Sequence, residues 1–228
     1  MKDAAALAAK GETHGTVVTA ERQTAGIGRH GHAWNSESDG GLYLSIILRI
    51  PPTPTLTMAL GLAVQAAVDD LAAVATDLRW PNDLLLNERK LAGILVQSEA
   101  GALIVGIGLN VNQTDFPEEL KDIATSLRIE TGQSHAKDAL LDRIVAESLR
   151  HAALDKPEIL RRFEKHSSYV RGKSVIVDEK LPGITAGLNA EGFLLLNTAQ
   201  GLQTIVAGGV RPCNESTIIG TSSGTGDQ

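Results

Sequence analysis

The chain carries a single cysteine, Cys213, in 228 residues. One thiol excludes an internal disulfide framework and any cysteine-rich metal cluster. Aromatic side chains make up only 3% of the sequence, so the core must be built from Ala, Val, Ile and Leu. No apolar run approaches the roughly 18 residues that a bilayer-spanning helix needs. Met1-Lys2-Asp3 leads into Ala-rich sequence without the Leu-rich centre and cleavage site of a signal peptide, so a soluble cytoplasmic protein is expected. Excess positive charge is lacking too. Acids outnumber bases 27 to 21, and a net charge of −6 disfavours non-specific binding to nucleic acid or anionic membranes. What is present is enough for a packed core, with 43% hydrophobic and 21% charged residues. The length suits one large domain, or a medium one followed by a small one.

Residues 2–10 read as a helix with Gly11 in a C-cap role, and Gly15–Glu21 as a strand. Residues 22–41 contain Gly26, Gly28, Gly31, Gly40 and Gly41 and no apolar run, which predicts a long loop. Leu42–Ile50 is a buried strand broken by prolines, and Thr55–Val74 an apolar helix. Asp77–Trp80 is a short strand. Leu84–Leu86 and Leu91–Gln97 form a hairpin through the polar turn Asn87–Lys90, and Leu103–Leu109 is a further strand. Ser134 is expected to cap a helix running to about Leu154, and Pro157–His166 forms another. From Ser167 short strands alternate with glycine: Lys173–Val177, Ile184–Leu188, Phe193–Asn197 and Gln203–Val206. That pattern predicts a small β-barrel. The last fifteen residues, nine of them Ser, Thr or Gly, predict a disordered tail. The expected division is therefore 1–166, 167–212 and 213–228.

Three segments carry chemistry. Residues 20–34, AERQTAGIGRHGHAW, hold two Arg and two His with no acid after Glu21. Glycines admit a ligand to the backbone, and the Arg29 fork suits a carboxylate or phosphate. On composition alone the plainer alternative is a surface loop with solvated arginines. The loop is neither a Walker A nor a dinucleotide fingerprint, because no Gly-Lys-Ser/Thr and no helix follow at the right spacing. Residues 79–93, RWPNDLLLNERKLAG, put Asn82 and Asp83 after a short strand, and Lys90 where a polar turn enters an apolar strand. That lysine is either a desolvated phosphate ligand or a turn lysine in water. Residues 106–112, GIGLNVN, place glycines within a strand, where a ligand or another backbone comes close, or where a core strand simply bulges.

Together, in this order and spacing, the three segments resemble the biotin–protein ligases, also called biotin–[acetyl-CoA-carboxylase] ligases, over about residues 2–212. The resemblance implies an α+β fold: a mixed-sheet catalytic domain similar to class II aminoacyl-tRNA synthetases, then an SH3-like barrel. It implies that biotin and Mg-ATP form biotinyl-5′-AMP, which acylates one lysine of a biotin carboxyl carrier protein. It carries biotin contacts onto Gln23, Gly26, Ile27, Gly28, Arg29, Lys90 and Gly93, with Gln23 at the ureido end and Arg29 at the carboxylate and phosphoryl group. Lys90 and Arg29 are the implied catalytic residues. Trp34, Asn82, Asp83 and Asn110 would line the adenylate or order the loop. Mg2+ is expected only with ATP, and no resident metal is implied. A homodimer is expected through a sheet edge.

Three departures from the family pattern stand out. Met1 stands where a Ser-Thr-Asn segment usually ends. Ile27 and His32 replace two loop arginines, which lowers loop charge near pH 7. Gly208-Gly209-Val210 replaces a Gly-Glu-Val or Gly-Glu-Ile. With no room for a helix-turn-helix before the first helix, binding to operator DNA is not expected. The competing expectations are a lipoate or octanoate transferase of related fold and a truncated homologue that only binds.

Overall fold

A computed structural model of the protein describes residues 1–28, 34, 36 and 40–213. Helix α1 (Lys2–Ala9) leads to strands β1 (Val17–Ala20) and β2 (Gly41–Leu48), then helix α2 (Leu56–Ala72). Strands β3 (Asp77–Arg79), β4 (Asp83–Leu86), β5 (Arg89–Glu99) and β6 (Ala102–Asn110) follow. Helices α3 (Leu127–Thr131), α4 (Lys137–Ala152) and α5 (Lys156–Lys165) precede strands β7 (Arg171–Val177), β8 (Leu181–Leu188), β9 (Leu194–Thr198), β10 (Gly201–Ile205) and β11 (Val210–Pro212).

The first six strands form one sheet in the order β1-β2-β6-β5-β4-β3. Its pairings among the described residues are all antiparallel, where a mixed sheet was expected; the parallel contact is an isolated bridge, Lys90 to Ala124. Strand periodicity divides its two faces. Leu42, Leu44, Ile46 and Leu48 of β2, with Leu103, Val105, Ile107 and Leu109 of β6, join the main core, to which α2 contributes Met58, Leu60, Val64 and Val68. The alternate residues face the other way. There Ile47, Ala102 and Ile104 are covered by Ala4 and Ala8 of α1.

The last five strands form a second antiparallel sheet, β10-β9-β8-β7-β11. Its end strands do not pair with each other among the described residues, so the expected closed barrel is here an open sheet. It docks on the first part of the chain through Trp80, whose Nε1 donates to Gly192 O at 3.0 Å, and through Ser167 and Ser168, which donate to Leu78 O and Asp77. Two local expectations are also corrected. Ser134 does not cap α4, whose N-cap is Ala136. Ser126 instead caps α3, a short helix with too few apolar repeats to read from sequence, by accepting from Ile129 N. No helix among the described residues is long and apolar enough to cross a membrane.

Candidate active site

The site grows from one row of residues opposed across the whole first sheet. Ala20 faces Tyr43, Tyr43 faces Gly108, Gly108 faces Gly93, Gly93 faces Asp83, and Asp83 faces Arg79. Opposed residues share a face, and this one is the α1 face. Gly106, two residues before Gly108 in β6, lies on it too. Three glycines therefore leave a bare strip of backbone beyond the end of α1. Met1 Sδ lies over Gly106. The indole of Trp34 lies over the other two: a methyl group on Gly108 would stand 2.6 Å from the ring, and one on Gly93 2.9 Å from it. Trp34 is held by its N–H to Gly26 O at 2.9 Å, while Ser36 Oγ donates to Gln23 O at 3.3 Å. The buried indole Nε1 has no hydrogen-bond partner among the described residues.

Lys90 reaches this face because of a bulge. Leu84 opposes Ala92 and Leu85 opposes Lys90, so Leu91 is an extra residue in β5. In a regular ladder Leu91 would oppose Leu85, and Lys90 would share the face of Ala92 and Ile94 and point into the core. Bulges re-aim side chains in this way. The preceding turn is shorter than the sequence suggested: Asn87 and Glu88 alone take positive φ, of 50° and 63°, and Lys90 lies inside β5 rather than in the turn. Its backbone is clamped by the segment after the 3₁₀ turn Glu118–Leu120, with Lys90 N donating to Ile123 O at 2.8 Å and Thr125 N to Lys90 O at 3.0 Å.

The Lys90 side chain is 31% exposed, not a solvated surface group. Its Nζ lies 2.6 Å from Asp83 Oδ1 and 5.4 Å from the centroid of a Trp34 ring. Arg79 donates to the other Asp83 oxygen at 2.7 Å. Burial pushes the Asp83 carboxyl up, but Lys90 and Arg79 outweigh it and hold the carboxyl below its ordinary value. Asp83 is thus an anion shared by two cations.

The remaining expected residues divide. Gln23, Gly26 and Trp34 meet beside the strip: a methyl group on Gly26 would stand 2.8 Å from Gln23 Oε1. Ile27 is 47% exposed. Asn82 commits its amide to β5, Nδ2 donating to Ile94 O at 2.9 Å. Asn110 is buried, and its Nδ2 donates to Thr125 O at 2.9 Å. It therefore acts one layer back, holding the segment that clamps Lys90. Arg29, with His30 and His32, and the tail from Asn214 lie outside the described residues. Sequence reasoning missed Arg79 and Ile123–Thr125 as parts of the site, and flagged the Gly106–Gly108 segment without assigning Gly108 a contact. A cue for Gly108 existed in its spacing of two from Gly106, but nothing local pointed to the clamp.

A family model described as the biotin/lipoate A/B protein ligase family matches residues 6–113, a span that holds Gln23, Lys90 and all three strip glycines. The bifunctional ligase/repressor BirA of Bacillus subtilis is 36% identical over 229 residues, covering 90% of this chain and 68% of that protein. The chain belongs to the biotin protein ligase family. The biotin–[acetyl-CoA-carboxylase] ligase of Mycobacterium tuberculosis is 43% identical over 134 residues, 55% of this chain and 50% of that one. Among solved structures, biotin protein ligase from Aquifex aeolicus in complex with biotin and ATP superposes with a TM-score of 0.81 at 32% identity, covering 89% of this chain and 91% of that one. The family's α+β architecture accounts for both sheets here.

Proposed function

We propose that this chain activates biotin with Mg-ATP and transfers the biotinyl group to one lysine of a biotin carboxyl carrier protein. The observation that carries the reading is the bare glycine strip with a half-buried lysine at its edge. A compact fused bicycle that lies against backbone needs a floor without side chains, and Gly93, Gly106 and Gly108 supply one. Gln23 would meet the ureido end, with Gly26, Ile27 and Gly28 in the segment that wraps the ligand; its position beside Gly26 at the strip supports this. The Trp34 indole and the biotin rings cannot share the strip, so Trp34 leaves it as biotin enters and is then free to line the adenylate. Arg29 at the carboxylate rests on the family pattern alone.

In the first step a biotin carboxylate oxygen attacks the α-phosphorus, and the bond to pyrophosphate breaks. Two anions must approach, so a fixed cation that strengthens its hold as charge grows lowers the barrier. Lys90 has that position. Asp83 keeps its ammonium aimed, and the 123–125 clamp, supported by Asn110, keeps its backbone in place. Mg2+ enters as part of the nucleotide substrate. In the second step the carrier lysine amine attacks the acyl carbon, AMP leaves with the electron pair of the broken C–O bond, and the amine loses a proton.

The same reading includes the finer points of architecture: a catalytic unit to residue 166 with the sheet of class II aminoacyl-tRNA synthetases, and an SH3-like unit over 167–212. What supports the second is its run of five short antiparallel strands. Homodimerisation through the edge of β1, which pairs with β2 alone among the described residues, belongs here too. Sedimentation with and without biotin tests it, and a monomer mass independent of concentration would remove it.

The deciding assay is biotin-dependent ATP–pyrophosphate exchange, followed by labelled-biotin transfer to a carrier domain, with lipoate as the competing acid. Exchange with biotin but not lipoate is the expected result. Exchange with lipoate alone would assign a lipoate ligase. Biotin binding without exchange would leave a binding protein.

A further inference from the structure

We propose that Arg79 is a positioning residue for Lys90, acting through Asp83, and that the ring of Tyr169 holds it there. The proposal rests on the reading of Lys90 as the cation at the α-phosphate.

Arg79, Asp83 and Gly93 stand in one cross-strand row, so the guanidinium meets the carboxylate on the same face as the strip. Arg79 Nη2 binds Asp83 Oδ2 at 2.7 Å, while Lys90 holds Oδ1 at 2.6 Å. The side chains of Arg79 and Asp83 are 16% and 15% exposed, so little water reaches the pair. Two cations on one carboxylate leave the cluster with a net charge of +1. Without Arg79, Lys90 and Asp83 would form a neutral pair. Its ammonium would then offer the incoming phosphoryl group a dipole rather than a charge, and Asp83 would pull harder on it. Arg79 therefore leaves the charge of Lys90 free to act on the phosphoryl group.

Arg79 is itself secured by the segment that leads into the second sheet. Its Cζ lies 5.9 Å from the centroid of the Tyr169 ring, and Lys173 Nζ of β7 lies 5.0 Å from the same ring. Tyr169 is 1% exposed and lies two residues before the start of β7. The ring gives the guanidinium an apolar, electron-rich support that a lysine, lacking a planar face, uses less well.

The test is pyrophosphate exchange on the full chain for Arg79→Met, Asp83→Asn, the double variant and Lys90→Ala, with melting temperatures and biotin dissociation constants. Arg79→Met should lower the exchange rate about tenfold while biotin affinity stays within about twofold, because the interaction serves the transition state. In the Asp83→Asn background the same substitution should cost nothing further, since the intermediary is gone. Arg79→Lys should restore most of the loss and remain about threefold below the parent. If Arg79→Met does not fold, Arg79→Lys carries the same coupling test at that smaller amplitude. For either substitution, no loss in the parent background, or a loss in the Asp83→Asn background as large as that in the parent, overturns the proposal. A parent-level rate for Lys90→Ala would overturn the reading of Lys90 and this proposal with it. A large loss for Lys90→Ala beside additive Arg79 effects would overturn this proposal alone.

Discussion

Gly93 and Gly108 face each other across β5 and β6, and one tryptophan covers both. The pair opens a patch of bare backbone between α1 and the segment that carries Gln23. Both glycines lack the positive φ that only glycine tolerates well, so their backbone does not require them. The space above them does.

Gly108→Ala should therefore damage binding far more than folding. The added methyl would meet whatever lies on the strip, and overpacking of this kind costs about 1–3 kcal/mol. Biotin affinity by calorimetry should fall by that amount. Chemical denaturation should place stability within about 1 kcal/mol of the parent. Unchanged biotin affinity would take the ligand off this strip.

Trp34 provides an optical readout of the same space. The chain has two tryptophans, and Trp80 is 3% exposed, with its Nε1 committed to Gly192. Saturating biotin should shift Trp34 emission to the red and raise its quenching by acrylamide, with Trp34→Phe as the blank. Emission that stays constant while calorimetry shows biotin bound would mean that ring and ligand do not compete.

Lys90→Ala should depress pyrophosphate exchange by about 10²–10³, as expected for loss of one preorganised charge-stabilising donor. It should also lower the melting temperature. An exposed turn lysine would have been neutral for folding, but Lys90 is half-buried on a buried carboxylate. Arg79 remains as a partner and solvent screens part of the effect, so the cost is about 1–2 kcal/mol, below that of breaking a fully buried pair. A parent melting temperature would show that the Asp83 contact contributes nothing.

A second buried group gives a pH dependence of stability. His151 in α4 is 3% exposed, and its Nδ1 lies 2.9 Å from Glu147 O. Burial pushes its pKa down, and nearby Arg150 and Arg162 add to this against the pull of Glu147. The unfolded chain therefore binds the proton more tightly than the native one. The contribution is fully present above the ordinary histidine value of about 6.5 and is lost as pH falls from there through the lower folded value. The melting temperature should drop on acidification below about pH 6.5, and His151→Gln should flatten that slope. An equal slope in the variant would assign the dependence to other groups.

Asp83 acts in the same direction at lower pH. Its folded pKa lies below the ordinary carboxylate value, so its ionic contribution is intact above about pH 4 and is lost only as pH falls further.

Much of the fold was legible because the relevant signals are local. The apolar runs Leu42–Ile50 and Leu103–Leu109, the apolar helix after Pro54 and four of the five C-terminal strands read directly as elements, with ends off by one to three residues. The three glycine-bearing segments likewise announced a family and its chemistry. Ser134 misled because serine favours a cap wherever a helix is near, and the backbone began α4 two residues later than that cap requires.

What sequence could not determine is which residues meet. Whether the C-terminal strands close or stay open depends on contacts between the ends of the sheet, not on any strand alone. The aim of Lys90 depends on the extra residue Leu91, whose insertion shows only in the register of β5 against β4. Shift that register by one and the ammonium enters the core. Asp83 holds that ammonium, Arg79 holds Asp83 and Tyr169 lies against Arg79, each from a separate segment, and Ile123–Thr125 clamps the Lys90 backbone from more than thirty residues away. The local sequence determined that a lysine, a carboxylate and bare glycines are available. Only the folded sheet decided that they share one face, because side-chain direction in a strand alternates with every residue and a single bulge reverses it.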